Sequence, residues 1–146
     1  MLDEVYNTKI LELAGRTPSP SRLDNPDGTA TKHSKLCGSK LTADISVADG
    51  VIQDVAMEVK ACALGQAAAA VVYENAVGAT RDEVQAAQKA MHAMLRGEDV
   101  EPTGRFEELR FLQPVRDYRA RHASTLLAVD ALADAFAAAT AEPLVA

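Results

Sequence analysis

The sequence predicts an α+β fold, a small antiparallel sheet of about three strands with helices packed on one face. Two observations carry that expectation. From Leu41 to Ala61 apolar residues alternate with polar ones and a turn signal falls midway, which is the pattern of a β-hairpin. After Cys62 the alternation gives way to long alanine-rich runs punctuated by helix start and stop residues. A chain of 146 residues fits a single domain, residues 1–146, with a Pro/Ser/Gly-rich loop at about 16–34.

Each element has its own signal. Residues 2–15 place Val5, Ile10, Leu11, Leu13 and Ala14 at helical spacing, and Gly15 is a natural stop. In the loop that follows, Asn25-Pro26-Asp27-Gly28 is a turn, and a third strand is expected within about residues 22–32, where the pattern is less regular. Leu41, Ala43, Ile45 and Val47 then share one face, Ala48-Asp49-Gly50 turns the chain, and Val51, Gln53, Val55, Met57, Val59 and Ala61 return. Folding the hairpin about Asp49 predicts that Cys37 lies opposite about residue 61, beside Cys62. Asp44, Asp54 and Glu58 point to the other face, as solvated charges would.

Gly65 to Val77 is nearly continuous Ala and Val, a helix buried on most sides and ended by Gly78. Thr80 and Glu83 form a Thr-x-x-Glu capping box that opens a helix to about Arg96. Phe106 to Leu112 reads as a short helix, and a last helix is expected from Gln113-Pro114 to about Ala139.

Fifteen basic against 21 acidic residues give a net charge of −6, so nucleic acid is not an expected partner. The apolar stretch from Ala67 to Tyr73 is too short to cross a membrane, and no membrane association is expected. The opening MLDEVYNTKI carries Asp3 and Glu4 and does not resemble a secretory leader, which points to the cytoplasm. In that reducing compartment two cysteines read as buried hydrophobes, ligands or reactive thiols rather than a structural disulfide. Cys37 precedes Gly38 where a loop enters a strand, and Cys62 sits where a strand ends and a helix begins. The N-terminal end of a helix favours a thiolate, the form that binds metal or attacks sulfur. Two small hydrophobes lining the sheet–helix seam is the plainer alternative.

The stretch from Asn25 to Val72 resembles the U-type iron–sulfur cluster assembly scaffolds, the family of IscU, SufU and the N-terminal domain of NifU. It carries Asn25-Pro26, then Cys37-Gly38 before a strand, a hairpin turning at Asp49-Gly50, Cys62, and a helix of small residues. The first and last helices also fit, so the resemblance spans most of the chain and implies a SufE/NifU-like fold. Members of this family hold a nascent cluster or a zinc ion on three cysteines and an aspartate. They take sulfur from a cysteine desulfurase and hand the cluster to acceptor proteins. The resemblance therefore implies that Cys37, Cys62 and His122 bind iron–sulfur precursor, as a [2Fe–2S] cluster, or zinc.

This chain departs from the family at two ligand positions. Ser39 stands where an aspartate is usual, and the stretch Arg121-His122-Ala123-Ser124 lacks the third cysteine. Either His122 matches the family's histidine and Ala123 replaces the cysteine, or His122 replaces the cysteine itself. A fourth ligand could be water, Ser39, His33 or a second copy of the chain in a homodimer. His33 alone reads as a solvated loop residue and His92 as a surface one. Arg116, Arg119 and Arg121 form a local basic cluster that could favour thiolate or meet an acidic partner. A carrier is implied rather than an enzyme. The alternatives are a sulfur-accepting thiol protein working with a desulfurase, and an interaction module that kept the fold without the metal.

Overall fold

A computed structural model describes residues 7–35 and 38–140. Asn7 caps helix α1 (Thr8–Ala14) by accepting from the Ile10 N–H, and Ile10 and Leu13 are its buried positions. Strands β1 (Gly28–Ser34), β2 (Ser39–Ala48) and β3 (Val51–Lys60) form an antiparallel sheet in the order β1-β2-β3. Helices α2 (Ala63–Ala76) and α3 (Arg81–Leu95) follow, then 3₁₀ turns over Gly104–Asp117 and Arg119–Arg121, and helix α4 (His122–Thr140). Leu41, Ala43 and Ile45 face the helices, with α4 against β1 and β2 and α2 against β3. The helices and sheet are thus arranged as the alternation predicts.

The hairpin register differs from the expected one by one residue at the turn and by two beyond it. Asp49 and Gly50 both have positive φ (56° and 79°), a two-residue type I′ turn that pairs Ala48 with Val51. Gln53 is then an extra residue at a bulge beside Ser46/Val47, so Leu41 faces Val59 and Lys40 faces Lys60. The predicted pairing of Cys37 itself lies outside the described residues.

The last helix starts later than its proline suggests. Phe106, Leu109, Leu112 and Val115 are all buried, at intervals of three. Three residues per turn is the period of a 3₁₀ helix, so these four side chains stack on one face without an α-helix forming. Tyr118 (φ −124°, ψ 77°) breaks the run, and α4 begins only at His122. By length and composition Arg119–Thr140 could cross a bilayer, but half of that apolar stretch is buried against the sheet, α2 and α3.

Asp44 is a second correction. It is not a solvated charge but is fully buried. The segment from Ser21 to Asp27 crosses the outer face of the sheet, its ends tied by Ser21 N–H to the Met57 carbonyl and Asp27 N–H to the Ile45 carbonyl. Under it, the Asp44 carboxylate accepts from Arg22 Nε (2.6 Å) and Nη2 (3.1 Å), Leu23 N–H (3.0 Å) and Thr29 Oγ1 (2.6 Å). Burial opposes ionisation there, but the hydrogen bonds from Arg22, Thr29 and Leu23 outweigh it and hold the carboxyl below its ordinary range.

Candidate functional site

Cys62 occupies the N-cap of α2, in extended backbone (φ −69°, ψ 173°), and its side chain caps no helix N–H. The thiol is half-buried and free to look across to α4, because β3 ends at Lys60 and the chain must turn there to enter the helix. The position combines the positive end of a fourteen-residue helix with a first turn that carries no acidic side chain.

What faces Cys62 is Ser124, in the first turn of α4. Its Oγ is 3.4 Å from Cys62 Sγ and 3.3 Å from the Oγ of Ser39. Ser124 is fully buried and Ser39, the first residue of β2, nearly so. Three elements therefore converge on one cluster of a thiol and two hydroxyls. Gly65 makes the convergence possible: a Cβ there would sit 2.7 Å from the Ala61 Cβ and 2.9 Å from Ser124 Oγ. No side chain larger than hydrogen fits between α2 and α4 at this level.

Cys37 lies outside the described residues. Its neighbour Gly38 has φ of 67°, the left-handed conformation expected of a residue after a tight turn. Ser34 pairs with Ser39, the first residue of β2 and a member of the Ser39–Ser124–Cys62 cluster.

His122 opens α4, but its Nε2 is held by the backbone, 3.1 Å from the Val115 carbonyl and 3.0 Å from that of Arg116. Carbonyls only accept, so Nε2 carries the proton and Nδ1 is the nitrogen left with a lone pair. Ala123 is exposed beside it. His33 is exposed on β1, opposite Lys40, and so lies on a strand rather than in a loop. His92 is more than a surface residue: its Nε2 meets Asp130 Oδ1 at 2.7 Å and ties α3 to α4. Arg116 and Arg119 are exposed in the 3₁₀ turns before α4. Among the described residues no three His, Cys, Asp or Glu side chains are grouped to hold a metal ion.

Sequence reasoning passed over Ser124 and Gly65. Both left a signal. A serine and threonine pair opening an otherwise apolar helix, and a lone glycine in an alanine run, each contradict local propensity and so mark close approach.

Comparison with known proteins gives one consistent picture. The chain is 28% identical over 133 residues to the iron–sulfur cluster assembly scaffold protein IscU of Thermotoga maritima, covering 90% of this chain and 92% of that one. It superposes on a scaffold protein for the SUF system from Fervidobacterium islandicum with a TM-score of 0.80, at 22% identity over 91% of this chain and 97% of the other, a likeness of fold. No family model matches the sequence. The N-terminal part of a nitrogen-fixing NifU-like protein from Brucella abortus superposes with a TM-score of 0.90, at 50% identity over 94% of this chain and 96% of that one. Identity of that extent along nearly the whole of both chains means that this protein belongs to the IscU/SufU/NifU-like scaffold family.

Proposed function

We propose that this chain is an iron–sulfur cluster assembly scaffold that carries iron–sulfur precursor as its cargo, with Cys37 and Cys62 as the thiolate ligands. The observation that supports it best is the position of Cys62, a thiol at the head of α2 facing two buried hydroxyls from β2 and α4. Thiolates suit iron–sulfur clusters and zinc. His122 would add a third ligand through Nδ1, since a ligating imidazole commonly gives its other N–H to a carbonyl. Water would complete the set, the Ser39 hydroxyl being engaged with Ser124. Cargo held by two thiolates and weaker donors leaves readily, which suits a protein that passes it on to acceptor proteins.

Anaerobic incubation with ferrous iron and sulfide tests the proposal through the visible absorption spectrum. A stable chromophore that disappears in Cys62→Ala supports the scaffold reading. A colourless wild type defeats it.

The hydroxyls around Cys62 also favour a second reading, sulfur acceptance from a cysteine desulfurase. There the Cys62 thiolate attacks the terminal sulfur of the donor's persulfide, the donor's thiolate leaves, and the persulfide passes to Cys62. His122→Ala separates the two, because it weakens metal uptake and leaves sulfur transfer intact.

A further inference from the structure

We infer that Ser124 is a positioning residue for Cys62, giving its O–H to the Cys62 sulfur when that sulfur holds iron, while Ser39 gives its own O–H to Ser124. The inference rests on the scaffold reading above and adds to it a residue that sets the electronic character of the cargo site.

The order of the hydrogen bonds follows from the chemistry of the sulfur. A cysteine that ligates iron has lost its proton and can only accept. The contact of 3.4 Å between Cys62 Sγ and Ser124 Oγ must then be an O–H···S bond with Ser124 as donor. Ser124 Oγ has spent its one proton, so in the 3.3 Å contact with Ser39 it is the acceptor. The chain Ser39 to Ser124 to Cys62 thus has one polarity, and each bond polarises the next.

The local structure is built for this contact and not for the usual fate of a helical hydroxyl. Thr125 Oγ1 donates back to the Arg121 carbonyl at 2.7 Å, and Thr140 Oγ1 does the same to Phe136 at 2.9 Å. Ser124, in the same helix, reaches across to two other elements instead. It does so fully buried, in space that exists only because residue 65 has no side chain. A glycine inside a helix is unfavourable relative to alanine. Here it lets the hydroxyl reach the thiol.

Hydrogen bonds to ligating sulfur withdraw negative charge from the metal and favour its reduced form, so they raise the reduction potential. The test is a dithionite titration of the anaerobically reconstituted protein, wild type, Ser124→Ala and Ser39→Ala, with thermal melts of each. Ser124→Ala is expected to lower the potential and to move the sulfur-to-iron charge-transfer bands to longer wavelength. Ser39→Ala is expected to shift both the same way by less. An iron-loaded Ser124→Ala protein with wild-type potential and bands overturns the inference and leaves the scaffold reading standing. Should Ser124→Ala fail to fold or load, Ser39→Ala decides: a lowered potential supports the relay, and an unchanged one overturns it. A wild type that takes up no iron and sulfide is a different failure, which removes the scaffold reading and the inference together.

Discussion

Removing the Asp44 carboxylate tests how the segment over the sheet is held. Its four hydrogen bonds come from Arg22, Leu23 and Thr29, and the carboxylate is fully buried while the Arg22 side chain is half-exposed. In Asp44→Ala, Arg22 can turn to water, but the Leu23 N–H and Thr29 hydroxyl lose their partner. Leaving a buried donor without its partner costs about 1.5–2 kcal/mol, and both the Leu23 N–H and the Thr29 hydroxyl are left so, which puts Asp44→Ala at about 3–4 kcal/mol with little from the half-exposed Arg22. Asp44→Asn keeps the shape and one acceptor oxygen and should cost about 2 kcal/mol, a fall in Tm of roughly 6 °C for a domain of this size. Urea unfolding measures both. The sign of the pH dependence follows from the depressed carboxyl pKa: the stabilisation is complete above the unfolded value of about 4 and is lost as pH falls through the folded one. The gap between wild type and Asp44→Asn should therefore be level from about pH 5 to 8 and close in acid. A variant within about 0.5 kcal/mol of wild type at neutral pH, or a gap unchanged in acid, refutes the reasoning.

Other expectations concern packing and the missing ligand. A Cβ at Gly28 would overlap the Ala135 carbonyl oxygen and sit 2.8 Å from Ala139 N, so Gly28→Ala must push α4 off β1 and should cost about 3 kcal/mol, read by urea midpoint. Thr80→Ala dissolves a capping box in which Thr80 and Glu83 satisfy each other's backbone N–H, and should lower stability by about 1 kcal/mol in the same assay. Ala123→Cys places a thiol on the exposed start of α4 next to Ser124. It should slow the loss of iron to a chelator, measured by bleaching of the visible bands.

Much of the fold was legible because local chemistry and tertiary packing agree. Asp49-Gly50 demands a tight turn, the Leu41–Val47 alternation fits one buried face, and Thr80 with Glu83 marks a helix start wherever it occurs. The misreadings lie where agreement fails. Phe106, Leu109, Leu112 and Val115 repeat every three residues, a period intermediate between strand and α-helix that reads in sequence as parts of two helices. Asp44 keeps the strand alternation and still is buried, because a segment some twenty residues earlier covers it, and no local pattern records that cover. At the site, the placement of Cys62 at a strand–helix junction followed from the pattern change alone. Ser124 did not, since its partner residues come from β2 and the head of α2, brought together only by the whole fold.

The central claim is that the chain holds an iron–sulfur cluster only to give it away. Mixing the reconstituted protein with an apo-ferredoxin, anaerobically and with a chelator present to capture free iron, tests it most directly. The ferredoxin is expected to gain its cluster while this chain's visible bands fade, and Cys62→Ala is expected to transfer none. Iron that goes to the chelator instead of the ferredoxin, or transfer as fast from Cys62→Ala as from wild type, contradicts it.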